Sequence, residues 1–241
     1  MGPGWAALLL SRGCSVVATC RDPSKAGDDL RALVEKGGKG GAWCKVMQLD
    51  VSWEEARMAR FVEELRGSGV DRVDLLVNNA GAGVADDPLL VASKADLMRF
   101  LEVNCVGAVL LCQALRPLMS VAGGRKLVCN LNSDLGSCEK LTVNVPVGTG
   151  QITACSYRVT KAAMNMATLC MARELDGEGF VFVSMSPGHV ATDMGYLPAP
   201  GRPAPTLSVE DSVGGMIDVL ERLTPQDNGS FHKFNGDCLP W

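Results

Sequence analysis

Val73-Asp74-Leu75-Leu76-Val77-Asn78-Asn79-Ala80-Gly81 decides how this 241-residue chain folds. Its first five residues form a short apolar run without in-out alternation, which is how a strand buried on both faces reads. Among its last four, the two asparagines and the glycine tolerate left-handed backbone, so the strand is expected to end in a turn. Outward from it, runs of the same kind recur at Ser15–Cys20, Ala42–Leu49, Lys126–Leu131, Phe180–Ser186 and, more weakly, Ser230–Phe234. Between them lie Asp28–Lys36, Glu54–Arg66, Lys94–Met119, Ser156–Leu175 and Ser208–Leu223, whose apolar residues fall three and four apart, the period of a helix. Start signals support several: Ser52 before Glu54-Glu55, Ser93 with Asp96, and Ser208 with Asp211 three residues on. Alternation of strand and helix predicts right-handed crossovers and an α/β, doubly wound, mostly parallel sheet with helices on both faces. No linker or repeat divides the chain, so residues 1–241 are expected to form one domain. Only Leu197–Pro205, with four prolines in nine residues, reads as an extended loop, and it falls where a ligand crevice would lie.

Composition narrows the function classes. Hydrophobic residues at 47% and charged residues at 21% exclude a disordered or low-complexity chain. No apolar run reaches the roughly 18 residues of a membrane span. Trp5–Leu10 stops at Ser11-Arg12-Gly13 and follows no basic segment, so neither membrane attachment nor a secretory signal is expected. A net charge of −4 without a basic block argues against a nucleic-acid surface. Ten cysteines show no CxxC spacing, and Cys14, Cys129 and Cys170 sit in apolar runs. Buried free thiols in a reducing cytoplasm fit this better than bridges or a zinc site. Two histidines are too few for a His-rich metal cage, and no metal is expected.

The chemistry-bearing residues cluster in the second half. Tyr157 and Lys161 are four apart in a helical segment, so both project from one face. A phenol holds its proton to about pH 10, and a fixed ammonium beside it favours phenolate. The alternative, a surface pair, is common at this spacing. Ser133 follows a buried-looking strand, where a hydroxyl could donate to a substrate carbonyl; a plain turn residue is the alternative. Asn104 lies in a long apolar helix, where an amide is costly unless bonded. It is either a satisfied core amide, which the residues alone favour, or part of a water relay.

Taken in order, Asn78-Asn79-Ala80-Gly81, Asn104, Ser133, Tyr157-Arg158-Val159-Thr160-Lys161 and Pro187-Gly188-His189-Val190-Ala191-Thr192 resemble the short-chain dehydrogenase/reductase family from about Trp5 onward. Val16–Pro23 and Gly229–Trp241 are most similar to its C-factor and sniffer-type carbonyl-reductase branch. The resemblance implies a Rossmann fold and hydride transfer to a small-molecule carbonyl, or from an alcohol. It casts Tyr157 as acid/base, Ser133 as carbonyl orienter, Lys161 as partner of the tyrosine and the nicotinamide ribose, and Asn104 as holder of a water. Asn78, Ala80 and Gly81 would line the adenosine side and Asp50 would reach the adenine amine. Pro187, Gly188, Val190 and Thr192 would seat the carboxamide. Residues Lys94–Met119 and Ser156–Leu175 would build a dimer or tetramer interface. Cofactor choice turns on Thr19-Cys20-Arg21, which offers no carboxylate to a ribose 2′-hydroxyl and so favours NADP over NAD, unless Asp22 pairs with Arg21 instead.

The pattern breaks at the start. A doubly wound domain needs a central first strand and a glycine-rich turn, yet only Gly2 and Gly4 match the end of the family's TGxxxGxG. The expectation is that the first strand was lost in annotation. Were the chain whole as written, cofactor binding should be weak or nil, because the pyrophosphate loses backbone amides. Between Ser133 and Tyr157 lie 23 residues, against about a dozen more commonly, so Thr142–Ile152 is expected to form a flap over the crevice. Asn132 stands where a second Ser is frequent. His189 is expected to pack rather than react. The crevice-side segments Leu135–Ile152 and Tyr196–Leu207 are poor in charge, which suggests a mostly apolar substrate.

Overall fold

Strands and helices alternate through this computed structural model, which describes residues 1–83, 88–144, 152–197 and 203–241. Helix α1 (Gly2–Ser11) leads into β1 (Val16–Cys20), α2 (Asp28–Lys36) into β2 (Cys44–Gln48), and α3 (Glu55–Gly67) into β3 (Leu75–Asn78). Helices α4 (Lys94–Leu101) and α5 (Gly107–Met119) precede β4 (Leu127–Leu131), and α6 (Cys138–Asn144) and α7 (Cys155–Glu174) precede β5 (Val181–Ser186). Helix α8 (Val209–Arg222) precedes β6 (Ser230–Lys233). Every ladder between these strands is parallel, as the unbroken apolar runs predict. All of β4 and nearly all of β5 is buried.

The strands form two sheets, β1-β2 and β3-β4-β5-β6. One helical layer spans both: Met58, Phe61 and Leu65 of α3 and Leu111 and Leu115 of α5 share a core with Leu76 and Val128, and Val17 and Met47 pack against it. On the other side Trp5 of α1 and Val213, Met216 and Ile217 of α8 cover Leu127, Cys129, Val183 and Met185. Leu10 of α1 continues that layer over Cys44, with Val16 and Leu33 alongside. The shared layers set the sheets side by side in the order β2-β1 and β3-β4-β5-β6. A doubly wound sheet of order 3-2-1-4-5-6 has its first strand at that junction, and among the described residues no strand occupies it.

Local signals account for the element ends. Ser93 Oγ accepts the Asp96 N–H at 3.0 Å and Ser208 Oγ accepts that of Asp211 at 2.9 Å, while each hydroxyl donates back to the carboxylate. Ser52 differs from expectation. It turns back to Asp50 and leaves Glu54 at the α3 start, because a carboxylate two residues away captures both its N–H and its hydroxyl. The single helix expected over Lys94–Met119 is interrupted at Glu102–Val106 by a wider turn, with Gly107 N–H bonded to Glu102 O. The cysteines also divide differently. Cys129 is buried, but Cys14 and Cys170 are exposed, one beyond the end of α1 and one on the outer side of α7. Most of the expected loop over Leu197–Pro205 and flap over Thr142–Ile152 lie outside the described residues.

Candidate active site

The carboxyl end of β4 sets the centre. Lys161, fully inside α7, donates from Nζ to Leu131 O at 2.8 Å. Burial pushes its pKa down to about 8, against a smaller opposing pull from the Cys105 thiol. One residue on, Asn132 Oδ1 accepts the Ser133 N–H at 3.0 Å, while its Nδ2 donates to Lys161 O at 3.1 Å and to Asn165 Oδ1. The amide therefore anchors Ser133 to the backbone of the lysine itself. Ser133 Oγ accepts the Leu135 N–H at 3.2 Å, which leaves its own O–H to donate outward. The turn after Ser133 lies so close to α7 that a Cβ on Gly136 would stand 2.7 Å from the Lys161 carbonyl carbon.

Tyr157 completes the group. The Lys161 ammonium lies 5.5 Å from the centre of its ring. Gly83 packs on that ring, since a Cβ there would meet Cδ2 at 2.8 Å. The Asn78–Gly83 loop is held in place by Asn104, whose Oδ1 accepts the Ala82 N–H and whose Nδ2 donates to Ala82 O, each at 2.7 Å. The same Nδ2 donates to Thr160 Oγ1 at 2.9 Å, and that hydroxyl donates to Tyr157 O at 2.8 Å. Asn104 is thus a satisfied buried amide that locks loop to helix. Asn132, the turn at Gly136, and Asn104 with Thr160 hold Ser133, Lys161 and Tyr157 about the carboxyl end of β4.

The remaining expected residues surround this centre along the strand ends. Gly2 lies in the first turn of α1, where a Cβ would be 3.8 Å from Asn79 Nδ2; Gly4 faces Val209 of α8 at 2.6 Å. Gly2 therefore fronts the crevice, whereas Gly4 is needed for helix packing. Asn78 Nδ2 turns into the sheet to Asn130 Oδ1 at 2.8 Å. Asn79 is the residue that sequence reasoning passed over: its Oδ1 is buried without a partner among the described residues. The only prior signal was its place in a doubled amide. Ala80 and Gly81 are exposed, with Met194 Cε and Asn104 Oδ1 both within 4 Å of a Gly81 Cβ. Arg21, beyond β1, is exposed, and its carbonyl accepts from Gln48 Nε2. Asp22 does not pair with it. That carboxylate takes the Ser24 N–H and hydroxyl and the Lys25 ammonium, because the turn of Pro23–Lys25 brings both within reach. Asp50 is held below the usual carboxylate range chiefly by the Ser52 N–H and hydroxyl, helped by the charge of Arg21.

After β5, Pro187 O accepts from Ser212 Oγ at 2.7 Å, and Gly188 takes a left-handed φ of 78° against Leu207 and Phe234. Val190 is buried and bridges to Leu207, and Thr192 Oγ1 accepts the Gly195 N–H. His189 Nε2 lies 2.9 Å from Gly195 O, a hydrogen-bonding contact within the same loop. The crevice fits a dinucleotide in two respects. The first turn of α1 borders it at Gly2, and the orphaned Asn79 Oδ1 beside that turn suits a hydroxyl donor.

Comparison with known proteins points the same way. The family model described as short chain dehydrogenase matches residues 1–197. The C-signal protein of Myxococcus xanthus is 37% identical over 169 residues, covering 70% of this chain and 93% of that protein. Norsolorinic acid ketoreductase of Dothistroma septosporum is 27% identical, covering 100% of this chain and 88% of its own. Among solved structures, the carbonyl reductase Sniffer of D. melanogaster superposes with a TM-score of 0.81 at 25% identity, covering 99% of this chain and 94% of that one. NADPH-bound carbonyl reductase from chicken fatty liver gives 0.79 at 30% identity, covering 100% and 95%.

Proposed function

Because this chain belongs to the short chain dehydrogenase family, we propose that it is an NADP-dependent oxidoreductase that reduces the carbonyl of a small, mostly apolar molecule, or oxidises the corresponding alcohol. The observation that carries the reading is the convergence of Ser133, Tyr157 and Lys161 at the end of β4. NADPH, when bound, supplies the hydride. Tyr157 gives the proton to the carbonyl oxygen, and the Ser133 hydroxyl holds that oxygen in place. Lys161 favours the phenolate by its charge and offers its N–H groups to the ribose. Asn104 keeps the Ala82 loop and Thr160 in register, and a water beside its wide turn would connect Lys161 to solvent.

Gly2, Ala80 and Gly81 border the adenosine and pyrophosphate path together with the Asn78 backbone, whose side chain is turned into the sheet, with Gly4 behind them and Asp50 at the adenine. Pro187, Gly188, Val190 and Thr192 shape the nicotinamide end. Arg21 supports NADP over NAD, since Asp22 is engaged by Ser24 and Lys25. Met194 over Gly81 gives the crevice an apolar wall. Ten free thiols suit a reducing cytoplasm. Met98 and Met166 are 57% and 61% exposed on α4 and α7, which supports a homodimer or homotetramer closing over them; sedimentation as a monomer alone would remove that part.

The test is NADPH oxidation with a panel of aldehydes and ketones, for wild type and Tyr157→Phe. The expected loss in kcat is at least a hundredfold, with NADPH fluorescence titration showing unchanged binding. Activity untouched by the substitution would overturn the mechanism. One observation favours a second reading, a catalytically silent dinucleotide-binding or signalling protein: the junction between the two sheets holds no described strand. Failure of the chain to bind NADPH in the same titration would select the silent signalling form of this reading, and binding without any oxidation across the panel its dinucleotide-binding form.

A further inference from the structure

The protein has two imidazoles. His189 is tied to Gly195 O beside the crevice. His232 lies elsewhere, on β6, and is buried. Its ring sits between two side chains on one face of the turn-back from Ser230 to Cys238: Nε2 is 2.8 Å from Ser230 Oγ, and Nδ1 is 3.8 Å from Cys238 Sγ. Backbone pairing fixes this placement. His232 and Cys238 bridge in antiparallel fashion, flanked by Leu239 N–H to Phe231 O and Lys233 N–H to Asp237 O, each at 2.8 Å. The thiol is exposed although the imidazole is not. Three other cysteines, Cys14, Cys138 and Cys170, are exposed, and with two imidazoles in the chain none of them has one to share.

We propose that Cys238 is a thiol-modification site, activated by His232 to exchange with a small disulfide of the glutathione class. In the tautomer that donates Nε2–H to Ser230 Oγ, the Nδ1 lone pair faces the thiol and receives its proton as the sulfur attacks. Asp227, whose carboxylate accepts from the Thr224 N–H and hydroxyl, contributes a negative charge near the imidazolium so formed. The Cys238 thiolate attacks one sulfur of the disulfide. A new S–S bond joins it to that half, and the old S–S bond breaks. The other half leaves as a thiolate and recovers the proton as a free thiol. Cys238 is oxidised and the small disulfide reduced, and excess reduced thiol reverses the exchange. The adduct would stand three residues before Trp241, whose main-chain oxygen accepts from Glu139 N–H and Ser137 Oγ at the base of α6. This site lies outside the crevice and depends on none of the residues assigned to hydride transfer.

The test treats the purified chain with limiting glutathione disulfide at pH 7.5 without oxygen and maps the adducts by peptide mass spectrometry. Cys238 is expected to be modified at least tenfold faster than Cys14, Cys138 and Cys170, and His232→Gln to bring it down to their rate. In 6 M urea the four rates should converge. Equal rates in the folded wild-type protein would overturn the proposal whether or not the variant folds. A folded His232→Gln protein that keeps the fast rate would overturn it as well.

Discussion

Lys161 holds its ammonium inside the protein against Leu131 O, and burial pushes its pKa from 10.5 to about 8. Below about pH 8 the folded protein therefore carries a buried charge that the unfolded chain keeps in water. The penalty, on the order of 3 kcal/mol, is fully present there and fades as pH rises from about 8 towards 10.5. Lys161→Met removes it but strands the Leu131 carbonyl, at a cost of about 1–2 kcal/mol. The variant is expected to lose NADPH-dependent activity while unfolding in urea at pH 7 no earlier than wild type, with any advantage shrinking by pH 9.5. Wild-type reduction should itself decline above about pH 8, as the charge that favours phenolate is lost. Tyr157, Lys161 and Ser133 were legible as a spaced set. Asn132 read only as a departure from the family pattern, yet it links Ser133 to the lysine backbone. That link joins positions far apart in sequence, so no local spacing could show it.

At the level of elements, the close fit of the post-β4 turn on α7 sets how the serine meets the tyrosine. Gly136→Val would drive a side chain into the α7 backbone near Lys161, which cannot move without displacing Tyr157. Overpacking of this kind costs about 1–3 kcal/mol, so a lower melting temperature is expected together with at least a tenfold loss in kcat. A lower melting temperature with unchanged kcat would show that the turn does not position Ser133. The starts of α4 and α8 were readable because Ser-x-x-Asp pairs act within one turn. The interruption at Glu102–Val106 was not. Its register answers to Asn104 reaching Ala82 and Thr160, contacts made across the fold rather than along the helix.

Across the whole molecule, two shared helical layers hold together sheets that no backbone ladder joins among the described residues. Strands β4 and β5 are paired on both sides, whereas β1 and β3 are paired on one. Alternate amides of β1 and β3 then lack a ladder acceptor, and such edges open at low free-energy cost. Hydrogen exchange should find those amides at least tenfold less protected than the amides of β4 and β5. Equal protection would mean that backbone from elsewhere fills the junction.

The order of strands and helices, the parallel sheet and the family motifs are properties of neighbouring residues, and the sequence by itself determined them through apolar period, capping pairs and spacing. Tertiary structure alone decided what each functional group experiences. It left Asn79 Oδ1 without a partner among the described residues, buried the Lys161 charge, gave Asp22 to Ser24 and Lys25 rather than Arg21, and set His232 beside Cys238. The physical reason is that burial and hydrogen bonding depend on the distance between groups in the folded chain, and the backbone path that sets this distance is the product of the whole core.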